Sequence, residues 1–141
     1  MKVVLDANVL VSGLINPNGV PAKIISLVLN GKLMLLYDIR IIGEYADVLN
    51  RPKFGFRKSW TKPLLDYIEN EGSYVNAEPV EASLVDDDDR AFFEVAKTGK
   101  ARYLVTGNKS HYPEDTIVQS PKEFIEVYLK ETAARPNREA R

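Results

Sequence analysis

The chain has 141 residues, 45% of them apolar and 28% charged, with a net charge of −1. That length suits one domain around a single core, and the charge balance excludes attachment to nucleic acid by global charge, leaving only a local basic patch. There is no cysteine, which excludes disulfides, thiolate zinc sites and cysteine nucleophiles and fits a cytoplasmic setting.

The first run, Lys2-Val3-Val4-Leu5, is apolar and closes on Asp6. It reads as a buried parallel strand with a carboxylate at its carboxyl end. It is too short and too soon interrupted for a signal peptide, and no later stretch is long enough for a membrane span, so no membrane partner is expected. Asn16 to Gly19 is a turn cluster. Pro21 then opens a helix with Ile24, Leu27 and Val28 on one face and Gly31 as its stop.

Leu33 to Tyr37 is a second strand. Asp38 caps the next helix, where Ile41, Ile42, Tyr45, Val48 and Leu49 have helical spacing and Arg51-Pro52 marks the end. Trp60 to Glu71 is a further helix, with Leu64, Leu65 and Ile68 inward, and Tyr74-Val75 is a short edge strand. Asp86 to Lys97 reads as one helix with an acidic first turn that the helix dipole favours, burying Phe92, Phe93 and Ala96. Arg102 to Thr106 and Thr116 to Gln119 are the last strands. Ser120-Pro121-Lys122-Glu123 is a capping box that starts a helix with Phe124, Ile125 and Tyr128 on its buried stripe. The domain spans 1–131, and the polar segment 132–141 reads as a mobile tail.

Strands alternating with helices predict a three-layer α/β/α sandwich on a mainly parallel sheet with right-handed crossovers. Ligands of such sheets bind at the carboxyl ends of the strands, at the point where strand order reverses. Asp6 ends the first strand, and a buried carboxylate there needs a cation or another partner. Glu44 sits in the helix after the second strand. Asp86 to Asp89 open the segment before the fourth strand, which itself ends in Thr106-Gly107-Asn108. The first and fourth strands can flank the reversal, so acids from separate segments would ring one crevice.

Four segments carry a resemblance: Val4-Leu5-Asp6-Ala7-Asn8-Val9-Leu10-Val11-Ser12-Gly13; Glu44-Tyr45-Ala46-Asp47-Val48-Leu49-Asn50-Arg51-Pro52-Lys53-Phe54; Asp86 to Asp89 leading into Phe92-Phe93-Glu94-Val95-Ala96; and Tyr103-Leu104-Val105-Thr106-Gly107-Asn108. Each alone is unspecific. In this order they resemble the PIN domain, a family of metal-dependent nucleases, over all but the tail, and are most similar to its branch of VapC-like toxins from toxin–antitoxin pairs. The resemblance implies Asp6, Glu44 and Asp89 as catalytic and metal-binding acids, Asp89 being the member of the run three residues before Phe92. It implies Mg²⁺ or Mn²⁺, RNA as substrate with a 5′-phosphate left on the product, a homodimer, and a cognate antitoxin that blocks the crevice. Hard cations of this kind take oxygen ligands. Asn8, Ser12, Thr106 and Asn108 are candidates to support the acids or touch phosphate. Many relatives have Asp where this chain has Asn108, so its metal site carries one negative charge fewer.

Bland readings stand beside these. Asp6 alone could merely cap a loop, Glu44 alone a solvated helix face, and Asp86, Asp87 and Asp88 helix-start charges. His111, the one histidine, lies in a polar loop close behind Asn108 and reads first as a surface residue, with a phosphate contact at the rim of the site as the alternative. The acid-free run Arg51, Lys53, Arg57, Lys58, Lys62, interleaved with Phe54, Phe56 and Trp60, has the composition of a single-strand groove, or equally of a solvated loop whose aromatics join the core or of an interface with a partner. The rival to a nuclease is a catalytically weakened PIN module that binds RNA or a protein without cleavage. A phosphoryl-accepting receiver domain would need an acid after the third strand, where Tyr74-Val75-Asn76 offers none.

Overall fold

The computed structural model describes residues 1–133. Strand β1, Lys2–Leu5, is followed at once by α1, Ala7–Ile15, and then by α2, Val20–Leu29. Strand β2, Met34–Tyr37, leads into α3, Ile39–Leu49, whose predicted cap is in place: the Ile41 amide donates to Asp38 Oδ1 at 3.0 Å. A short 3₁₀ turn at Pro52–Phe54 precedes α4, Lys58–Glu71, which starts two residues before the predicted Trp60. Strand β3 is Ser73–Tyr74, α5 is Arg90–Thr98, β4 is Tyr103–Val105, β5 is Val118–Gln119 and α6 is Pro121–Ala133.

The sheet order is β3-β2-β1-β4-β5 and every pairing is parallel. Successive residues of a strand face opposite sides, and Val3, Val4 and Leu5 are all wholly buried. Both faces of β1 are therefore covered, which makes the predicted three layers. With right-handed crossovers, β1→β2 and β3→β4 run in opposite directions along the sheet and place their helices on opposite faces. One layer runs α6-α2-α1-α3-α4 by successive contacts, and α5 lies against β1, β2 and β4. Gly13 lets α1 approach α2 closely: a Cβ there would stand 2.3 Å from Ile25 Cδ1 and 3.2 Å from the Ala22 nitrogen.

Several expectations need correction. Helix α1 is absent from the predicted elements: its consecutive Val9, Leu10 and Val11 are all buried and show no helical spacing. The predicted single helix 86–97 is broken: Asp87–Asp89 form a 3₁₀ turn before α5. Asp86 Oδ1 accepts the Asp88 amide at 3.0 Å, and such local side-chain bonds compete with the α-helical ladder. Leu65, Ile42 and Ile125 are only half-buried, so the inward faces are narrower than the spacing implied. The capping box is reciprocal, with Ser120 N donating to Glu123 Oε1 at 2.8 Å and Glu123 N to Ser120 Oγ at 3.1 Å. Helix α6 continues through Thr132 and Ala133; the rest of the predicted tail lies outside the described residues.

Candidate functional site

The reversal of strand order falls between β1 and β4. There the Asp6 amide donates to the Val105 carbonyl at 2.9 Å, which sets Asp6 and Thr106 side by side at the carboxyl edge. Asp6 is also the N-cap of α1, its carboxylate accepting the Asn8 amide at 3.4 Å. The capping reading and the site reading therefore hold together: a helix N-terminus favours an anion, whatever else that anion does.

Asp6 is 6% exposed, and its two oxygens differ. Oδ2 accepts the Thr106 hydroxyl and the Tyr112 hydroxyl, each at 2.9 Å. Oδ1 has only the long Asn8 contact. Burial, followed by the nearby charges of Asp6 and Asp89, pushes the Tyr112 phenol far up, so it stays a donor. Burial likewise pushes up the Tyr45 phenol, which donates to the Leu5 carbonyl below the site. Thr106 in turn accepts the Asn108 amide at 3.0 Å, and Asn8 Oδ1 accepts the Gly107 amide at 3.1 Å. The loop after β4 is thus tied to the start of α1.

A cleft of about 360 Å³ opens above this edge. Asp6, Asn8 and Ser12 line it from β1 and α1, Glu44 and Arg51 from α3 and its end, and Asp86, Asp89, Asn108 and His111 from the loops before α5 and after β4. Of the residues predicted for the site, Asp6, Glu44, Asp89, Asn8, Ser12, Asn108 and Arg51 share this cleft. Thr106 lies wholly buried behind it. Lys53, Arg57, Lys58 and Trp60 lie outside its lining.

Three residues were missed or misread. Asp86 lines the cleft beside Asp89, although the run of four acids gives no means of choosing it. Tyr112 grips Asp6, and nothing in its polar loop marks it. His111 is no bystander: its Nδ1 stands 3.4 Å from Asp89 Oδ2.

The acids repel one another. Asp89 is pushed up to about 6, by burial first and then by Asp6 and Asp86, with the His111 contact pulling the other way. Glu44 is also raised, by burial and then by Asp88, Asp47 and Asp6, against the opposing charge of Arg51. Glu44 makes no hydrogen bond or ion pair among the described residues. Asp6, Glu44 and Asp89 thus present hard oxygen donors whose mutual repulsion a cation would relieve. In chemical kind they fit a divalent ion. In spacing they stand open, for no three His, Asp or Glu side chains among the described residues are close enough to grip an ion together.

A parallel sheet with carboxylates gathered at its reversal point defines an α/β protein with an acidic cleft where such sheets bind ligands. The family model of the PIN domain matches residues 2–110, and the chain belongs to that family. An uncharacterized protein of Methanocaldococcus jannaschii is 31% identical, with 92% of this chain and 93% of that relative covered. No solved structure matches significantly. Membership carries a nuclease-type function at the level of the family. Among the described residues no helix is long and apolar enough to cross a membrane.

Proposed function

We propose that the protein is a Mg²⁺- or Mn²⁺-dependent endoribonuclease and the toxin of a toxin–antitoxin pair. The observation that carries the nuclease reading is the meeting of Asp6, Glu44 and Asp89, from three separate segments, in one cleft at the strand reversal. These three would hold the ion. When bound, a divalent cation lowers the pKa of a water, aligns it and neutralises phosphate charge.

The chain's own residues do the rest. Thr106 and Tyr112 fix Asp6 by Oδ2 and leave Oδ1 directed elsewhere. His111 holds Asp89. Glu44, untethered, orients the attacking water and takes its proton. Arg51, exposed at the cleft and only loosely held by Asp47 at 3.1 Å, attracts the phosphate. Attack at phosphorus breaks the bond to the 3′-oxygen, which takes a proton from solvent and leaves as a 3′-hydroxyl, and the phosphate stays on the 5′-oxygen of the downstream fragment.

The toxin assignment rests on the resemblance of the four motifs and carries with it a homodimer and a cognate antitoxin that fills the cleft. A small DNA-binding protein encoded directly upstream would support it. A second reading is favoured by Asn108, which lines the cleft without a charge: a weakened module that binds RNA and does not cut.

The test is cleavage of an RNA panel with Mn²⁺, with Asp6→Asn, Asp89→Asn and chelator controls. The proposal expects 5′-phosphate products from the wild type and none from the controls. Cleavage that survives both substitutions, or chelation, rules it out. Binding without cleavage under any divalent ion, with cleavage restored in Asn108→Asp, selects the weakened module.

A further inference from the structure

The segment 51–62 holds five basic residues and no acid in a chain whose net charge is −1. Lys62 is paired with Asp66 and Arg51 with Asp47. Lys53, Arg57 and Lys58 are exposed and have no acidic partner among the described residues. Among the described residues Lys53 and Arg57 meet aromatic rings and no carboxylate.

The aromatics between them run outward from the cleft, Phe54 and Phe56 half-buried against the core and Trp60 exposed. Phe54 lines the acidic cleft itself. Gly55 takes φ +62°, a left-handed turn that glycine adopts without strain. The chain thereby folds Phe56 back against Phe54, the rings 5.5 Å apart and 17° from parallel. Lys53 sits 5.0 Å over the Phe54 ring. Arg57, next in sequence, lies 5.6 Å from the ring of Trp60. Helix α4 buries Thr61, Leu64 and Ile68, while Trp60, in its first turn at the edge of that face, stays 63% exposed. An indole braced by a guanidinium and left in water is not packing the core.

We propose that residues 53–60 are a stacking platform for the unpaired bases of an RNA strand leaving the cleft, with Phe54 at its inner end and Trp60 at its outer end. Aromatic faces accept bases of any sequence, and the flanking cations follow the backbone. Base-paired RNA keeps its bases in the helical stack and cannot use such faces. The proposal depends on the nuclease reading only for the chemistry at the inner end; occupancy of the platform is separate from cleavage.

Trp60 is the single tryptophan of the chain, so its fluorescence reports the outer end directly. The full chain is titrated in chelator with an RNA strand of about twelve nucleotides, a length within single-strand site sizes, and with a hairpin of the same composition. Single-strand binding is expected to quench and shift Trp60 emission, and the hairpin to leave it unchanged. By anisotropy of a labelled strand, Trp60→Ala should weaken binding about tenfold while Trp60→Phe retains most of it. The combined Lys53→Ala, Arg57→Ala and Lys58→Ala variant should flatten the dependence of log K on log salt by about two.

Strand binding that leaves Trp60 emission unchanged overturns the platform, even in an active nuclease. So does an equal response to heparin, which has charge and no bases. An emission shift of the wild type with protein concentration alone, with self-association that sedimentation finds in the wild type and not in Trp60→Ala, would make this face an interface between copies instead. A Trp60 response to RNA in a protein that never cleaves keeps the platform and removes the nuclease.

Discussion

At the scale of single residues, the account turns on how unequally the site's carboxylates are held. Asp6 is fixed by two hydroxyls, Asp89 by one weak contact with His111, and Glu44 by nothing. Tyr112→Phe removes one donor to a buried carboxylate, and bonds to charged groups are worth about 2 kcal/mol. Urea denaturation should show a loss of that size, and under the proposed ribonuclease activity kcat should fall with little change in KM. Asp89 behaves differently. Its folded value near 6 lies above the ordinary 3.8. As pH rises from about 4 to about 6 the unfolded chain gives up this proton and the folded chain retains it, so folding stability falls across that window and stays lower above it. Asp89→Asn in chelator should therefore raise the melting temperature at pH 7.5 and leave it unchanged near pH 4. A variant less stable than wild type at pH 7.5 would mean that the His111 contact outweighs the repulsion.

At the scale of elements, the site depends on a strap. Residues 76–86 have no regular structure, yet they deliver Asp86 and Asp89 to the cleft. Glu94, buried on α5, accepts the Val80 amide at 3.0 Å and pairs with Arg40 at 2.8 Å, while Arg40 also bonds Asp38. Arg90 donates to the Val80 and Ala82 carbonyls. Burial alone would raise the Glu94 carboxyl; the bonds from Arg40 and Val80, with the charge of Arg90, outweigh it and hold it low. Its contribution is therefore present at neutral pH and is lost on acidification. Glu94→Ala should cost about 2–3 kcal/mol by denaturation, below the full value of a buried pair because Arg40 is half-exposed. It should also raise backbone exchange across 77–86. None of this was legible in the sequence, where Glu94 is one charge on an otherwise apolar face and its partners lie 54 and 14 residues away. By contrast the Asp38 cap and the Ser120–Glu123 box were legible, because each closes within three residues.

At the scale of the whole molecule, the order of strands and helices was readable from apolar runs and punctuation, and the sheet order placed β1 beside β4 as the motif order required. Helix α1 was not legible, because Val9, Leu10 and Val11 are consecutive buried residues and only Ser12 and Ile15 of the helix are exposed. The convergence of Asp6, Glu44 and Asp89 was legible only as a set, since each acid alone has an ordinary explanation. Their company, Asp86 and His111 in the cleft and the buried Tyr112 bonded to Asp6, comes from loops whose course no periodicity specifies. An ion bound by the folded protein alone stabilises it by mass action, so Mn²⁺ should raise the melting temperature of the wild type at pH 7.5 and not that of Asp89→Asn. The central claim is that these three acids form one cation site, and titration of Mn²⁺ followed by electron paramagnetic resonance counts free and bound ion directly. The account predicts weak, saturable binding to the wild type, lost in Asp6→Asn and in Asp89→Asn and weakened in Glu44→Gln. Binding of equal strength in wild type and all three variants would contradict it.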